Sequence, residues 1–357
     1  TGFLCRDILT AMDTPADLFE DANAYIFVIF MGIPVVFLYN LLAAIIRALG
    51  DSRTPVYFLA LSAGLNIVLD LACILLLNWG VAGAAIATVV SQAVSGVACL
   101  VYMVKKFPIL QITREERRLN ADACKALCAM GLPMGLQYSI TAIGSIVMQT
   151  AVNGLGSVYV TAVATAGKVY QLLACPFDAM GAAMATYCGQ NVGAGELDRL
   201  PQGVRACSLL GLGYSAAALL AMIFFAPQCA MLFLSSADPQ LGLLVGLTTQ
   251  YIVIQTAFFF PLALVNILRF SIQGMGFSAF AILAGVLEMI ARTVVGYFFV
   301  PGMGYTAACF ASPAAWICAD LFLIPACLGC VAHLRRSNPT ASLETLSRRM
   351  LKKTAKA

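Results

Sequence analysis

Residues 54–77 constrain what this chain can fold into more than any other stretch: 24 residues in which Asp70 is the single side chain of the Asp, Glu, Lys or Arg type. At about 1.5 Å per residue a helix of that length crosses the roughly 30 Å hydrocarbon core of a bilayer. Where no water reaches, backbone donors and acceptors must pair within the segment, and a helix does this. Eight further runs have the same character, giving nine spans at 22–48, 54–78, 81–104, 125–152, 158–190, 203–226, 244–272, 276–299 and 304–332. Of 357 residues, 61% are apolar and 11% charged, against about 45–50% and about 25% in soluble domains. The fold class expected is therefore an all-α polytopic membrane protein.

The net charge of +4 does not indicate nucleic acid, because the basic residues sit between the spans. Counted over alternate connectors, one side of the membrane holds Arg53, Lys105, Lys106, Arg114, Arg117, Arg118, Lys125, Arg199, Arg205, Arg335, Arg336 and the basic tail, and the other holds Arg6. By the positive-inside rule the first side is cytoplasmic. The expectation is a multi-pass protein of the cell (inner) membrane, with Thr1 external and the C-terminus internal. The 13 cysteines are scattered singly along apolar runs, as small buried thiols are. Cys327-x-x-Cys330 near His333 is the nearest approach to a metal motif. Thr54 followed by Pro55 reads as a helix cap with proline in the first turn.

Sliding residues 25–52 along 251–278 without a gap matches Tyr25, Ile26, Leu38, Asn40, Leu42, Ile46, Gly50 and Ser52 with identical residues. Both copies begin with a crossing in the same direction, so the repeats are parallel. The second copy has three spans ahead of its matching element and the first has none. Completing the symmetry calls for three helices upstream of Thr1, twelve in all, in two six-helix bundles. On this reading residues 1–124 are the second half of one lobe, 125–335 form the other, and 336–357 are a basic cytoplasmic tail.

Polar side chains inside the spans are the candidate functional residues. Asn66 and Asp70 lie one turn apart on the second span, and Thr88 lies on the third. A carboxylate at that depth is costly and is usually functional, although a protonated or paired Asp70 could simply hold helices together. Gln137, Thr141, Ser145, Gln149 and Asn153 recur every fourth residue on the fourth span, and Thr161, Thr165, Lys168, Gln171 and Asp178 form a polar stripe on the fifth. Two such stripes on neighbouring helices suit a wet cavity, or hydrogen bonding between helices. Glu288 stands four residues before Arg292, the favourable order for a helical ion pair, with Asp320 on the next span as an extension. The pair serves either structure or coupling. Met148, Tyr170, Phe177, Met180, Met184 and Tyr187 suit packing, and also a cavity for flat lipophilic cations.

The segments RALGDSRTP (47–55), GVAGAAIAT (80–88), GLP (131–133), GQNVGAG (189–195) and SPAAW (312–316) follow one another in that order across nearly all of residues 1–335. In these the chain resembles the MATE (multidrug and toxic compound extrusion) transporters, bacterial type, within the wider flippase and exporter superfamily. The resemblance implies a twelve-helix secondary active antiporter that exchanges Na⁺ or H⁺ for organic, often cationic, compounds by rocking two lobes in alternating access. It also implies a cation site at Asn66, Asp70 and Thr88, completed by an Asp on a first helix that would precede Thr1. A second cation site found in one branch of the family falls on Thr141 and Leu262 here, so this chain should not use it. No catalytic constellation, phosphate loop or metal cluster stands in the sequence. A non-enzymatic, monomeric exporter is expected, with no cofactor, Na⁺ or H⁺ as coupling ion, and a small organic substrate and the lipid bilayer as partners. Alternatives are a lipid-linked precursor or polysaccharide flippase and a non-transporting fragment.

Overall fold

A computed structural model describes residues 5–11, 19–110, 120–234 and 239–337, and all regular structure within them is helical. The chain divides into two compact units, Thr1–Leu119 and Asn120–Ala357. Asn120 heads the second unit: its Oδ1 accepts from the N–H groups of Asp122 and Ala123 at 2.9 and 3.3 Å and so caps the helix that follows. Most of the basic tail, from 338 on, lies outside the described residues.

The first unit contains α1 (Cys5–Ala11), α2 (Phe19–Ala48), α3 (Arg53–Leu71) running into a π-helical turn (Ala72–Leu76), and α4 (Gly80–Lys106). α4 packs along both α2 and α3, which scarcely touch each other. Ser95 Oγ donates to the Phe58 carbonyl at 2.9 Å, tying α4 to α3. The start of α3 is not capped by Thr54 as expected. Instead Asp51 Oδ1 accepts the Thr54 N–H at 3.1 Å, while the Thr54 and Tyr102 hydroxyls each donate to Asp51 Oδ2 at 2.7 Å. These donors, the Thr54 N–H first and then the Tyr102 hydroxyl, hold the Asp51 carboxyl down to about 2. Pro55 sits in the first turn, where its missing N–H costs nothing.

The second unit contains α5 (Ala121–Asn153), α6 (Ser157–Gly193), α7 (Arg199–Met231), α8 (Leu241–Ala257), α9 (Phe259–Gly274), α10 (Ala279–Val294) with a π-helical turn (Val295–Phe299), the short α11 (Val300–Met303) and α12 (Tyr305–Ser337). α5 lies on α10, α6 on α8 and α9, and α12 on α9 and α10. The expected single span 244–272 is broken: α8 and α9 meet at Phe258 with a bend of 50°. Pro261 contributes to the break, since it cannot donate to the Ala257 carbonyl and its ring crowds that group. The core gathers Phe177, Met184, Phe259, Ile267, Ile272 and Leu323, all buried. Phe37, Leu75 and Leu76 on the first unit, and Leu172, Phe298 and Leu321 on the second, are exposed, which suits hydrocarbon rather than water.

By length and composition, eight helices of the described residues can cross a membrane, and nine with the bent pair as one span. The nine expected spans each coincide with one of them.

The duplication is visible in the backbone of each unit taken by itself. α2, α3 and α4 correspond to α8 with α9, α10 and α12, and in both sets the last helix packs on the other two. Gly50 and Gly276, matched in the ungapped register, both turn the chain with positive φ, 92° and 93°, which an L side chain rarely adopts. A π-helical turn follows the middle helix in each set, running on into α11 in the second, and a second positive-φ glycine stands at the start of the last helix, Gly80 as its first residue and Gly304 just before it.

Candidate functional site

In the first unit the structure brings Asn66 and Thr88 together. Asn66 Nδ2 donates to Thr88 Oγ1 across α3 and α4 at 3.4 Å, and the Thr88 hydroxyl itself donates to the Ala84 carbonyl at 3.0 Å. Asp70 is half-buried one turn beyond Asn66, and its Oδ1 is a buried acceptor without a donor among the described residues. A second such oxygen, Gln92 Oε1, lies on α4 one turn beyond Thr88. Sequence reasoning missed Gln92, although its spacing from Thr88 would have put both on one helix face. A carboxylate, two amides and a hydroxyl on two packed helices are hard oxygen donors of the kind that bind Na⁺, and the same carboxylate can carry a proton.

In the second unit the Glu288–Arg292 pair is part of a larger cluster. Glu288 on α10 accepts from Arg269 on α9 and from Arg292 Nη2, the latter at 3.4 Å. All three side chains are buried, as is Asp320 on α12, which lies within electrostatic reach of Arg269 and Glu288. Arg269, absent from the expected set, is thus a second partner of Glu288. Glycines let α5 come close: a Cβ on Gly144 would stand 3.1 Å from Met289 Cα and 3.6 Å from Arg292 Nη1, and one on Gly285 would meet Gln137 at 3.3 Å. Gln137 is buried and accepts from Gln273 Nε2 at 2.9 Å, while the Thr141 hydroxyl is buried without a partner among the described residues. Further along α5, Ser145 and Gln149 reach a cavity of about 180 Å³ that Arg292, Tyr251, Met148 and Ser312 also line.

A family model described as MatE matches residues 2–72 and 133–298. The chain belongs to the MatE family. Among curated relatives, the probable multidrug resistance protein YpnP of Bacillus subtilis is 29% identical over 297 residues, 83% of this chain and 64% of that protein. The probable multidrug resistance protein YoeA of the same organism is 28% identical over 239 residues, 65% of this chain and 52% of its own length. The chain therefore spans less than two thirds of these relatives. A crystal structure of MATE in the bent conformation superposes with a TM-score of 0.83 at 21% identity, over 96% of this chain and 75% of that one, so the fold is shared. MatE proteins are multi-pass membrane transporters, and the relatives are transporters rather than enzymes.

The remaining expected residues of this MatE chain fall elsewhere. Lys168, Gln171 and Asp178 are exposed on α6, whereas Thr165 of the same stripe is buried, so the stripe is not one uniform face. Lys168 Nζ stands 5.5 Å from the centre of the Phe233 ring. The cavity is lined by Ser145 and Gln149 of the α5 stripe but not by Lys168, Gln171 or Asp178. Of the aromatic and Met residues, Phe177 and Met184 are core, Tyr170 stacks on Trp316 at 6.2 Å, and Tyr187 packs under Gly203 with its hydroxyl on the Arg199 carbonyl at 3.0 Å. Cys327 and Cys330 are buried, and His333 meets Phe277 edge to face at 5.8 Å.

Proposed function

We propose that this chain is part of a secondary active transporter that exports organic compounds, organic cations among them, in exchange for Na⁺ or H⁺ held at Asp70. Asn66 and Thr88 would complete the oxygen set from one turn away and from the facing helix. The observation that carries the reading is the donorless, buried Oδ1 of Asp70 on a membrane-crossing helix. In hydrocarbon that carboxylate is stable when a cation or a proton neutralises it and costly when bare. Two arrangements of α3 and α4 that expose Asp70 differently would then differ in affinity for the cation, which is what a gradient needs in order to drive a conformational change. The exporter would work as a monomer in the cell membrane, with the Lys105–Lys106 end of α4 on the cytoplasmic side.

In the full-length protein containing this chain, Asp70→Asn should abolish gradient-driven efflux of an organic cation such as ethidium while membrane protein levels stay unchanged. Asn66→Leu should weaken it. Undiminished efflux by Asp70→Asn would remove Asp70 from the mechanism.

A further inference from the structure

We propose that the cavity beside Arg292 in the second unit is a binding site for an organic anion, held through its carboxylate or phosphate oxygens. The site is separate from Asp70, and the inference stands whether or not Asp70 carries the coupling ion.

The cavity lies among α5, α8, α10 and α12 and is lined by Ser145, Met148, Gln149, Tyr251, Arg292 and Ser312, with three apolar residues closing it. Arg292 is the sole charged side chain in that lining. It is 7% exposed, yet its Nη1 has no acceptor among the described residues. Burying a guanidinium in a membrane bundle is costly unless its charge and its N–H groups are matched. Glu288 matches Arg292 only in part, because the same carboxylate also accepts from Arg269. Asp320 acts on Arg269 and Glu288 and is not among the residues lining the cavity. The charge of Arg292 is therefore only partly compensated at the cavity wall, and an anion entering the cavity would complete the compensation. Arginine's planar fork suits a carboxylate or a phosphate. Tyr251 and Ser312 bring hydroxyls, and Met148 with the apolar wall suits a ring or short chain. At about 30 Å³ per water, a volume of about 180 Å³ admits a benzoate-sized molecule.

Benzoate, benzamide and benzamidine share a shape and differ in charge, and phenyl phosphate separates carboxylate from phosphate recognition. Titrated calorimetrically into the full-length detergent-solubilised protein, benzoate or phenyl phosphate should bind at least about tenfold more tightly than benzamide, and benzamidine should not bind. The tighter of the two anions names the headgroup. Arg292→Gln should abolish the preference for the anion. Ser312→Leu, which fills the cavity from α12 without touching the ion cluster, should abolish binding at an unchanged melting temperature. Anion binding that survives Ser312→Leu, a preference for benzamidine, or no saturable anion binding up to about 10 mM would overturn the proposal.

Discussion

Glu288 is the residue on which two buried guanidiniums depend. Glu288→Gln strands both Arg269 and Arg292, and a buried charge that has lost its partner destabilises by about 3–5 kcal/mol. Arg292→Gln leaves the Arg269–Glu288 contact in place and should cost no more than about 1.5 kcal/mol. Thermal unfolding in detergent should therefore show a markedly larger fall in melting temperature for Glu288→Gln. Equal falls would mean that Arg269 and Arg292 find other counter-charges. The pair itself was legible, because residues four apart on a helix meet. Arg269 was not legible: it lies near the end of an apolar run, where an arginine reads as one whose head reaches the interface, and only the packing of α9 on α10 brings it to Glu288. Asn66 and Thr88 were legible through the family resemblance, and their contact confirms their proximity. Gln92 was hidden because a lone amide in an apolar helix carries no charge signal.

Among the elements, α12 keeps its course through Pro313 because another helix repairs the ladder. Proline at 313 has no N–H for the Cys309 carbonyl four residues back, and Gln255 Nε2 of α8 donates to that oxygen at 3.0 Å in a buried position. Gln255→Leu should leave the carbonyl bare and cost about 1–3 kcal/mol. Pro313→Ala supplies the missing N–H, so the double variant should recover most of that loss. Strict additivity of the two single changes in melting experiments would show that Gln255 serves another purpose. Span number and approximate ends followed from hydropathy, because hydrocarbon thickness dictates helix length. The α8–α9 break did not follow, since proline inside an apolar run is compatible with either outcome: Pro34, Pro133 and Pro176 lie within continuous helices, and Pro261 sits just past a break. Neighbouring side chains decide, and their identity depends on tertiary packing.

For the molecule as a whole, the distribution of basic residues makes a topological prediction. Against a cysteine-depleted background, needed because Cys124, Cys128 and Cys175 are exposed, Lys105→Cys should react with an impermeant maleimide only after permeabilisation. Ser157→Cys should react in intact cells. The reverse pattern would invert the orientation. The duplication was legible from eight identities, but its extent was not, because apolar residues replace one another freely while the backbone stays the same. The two π-helical turns carry the matter further. Such a turn is an α-helix that has accepted one residue too many, and it begins 22 residues past Gly50 in one set, at Ala72, but 19 residues past Gly276 in the other, at Val295. A single insertion copied by duplication would stand at one register, so the two widened turns, nearly one helical turn apart, record separate histories of the two halves.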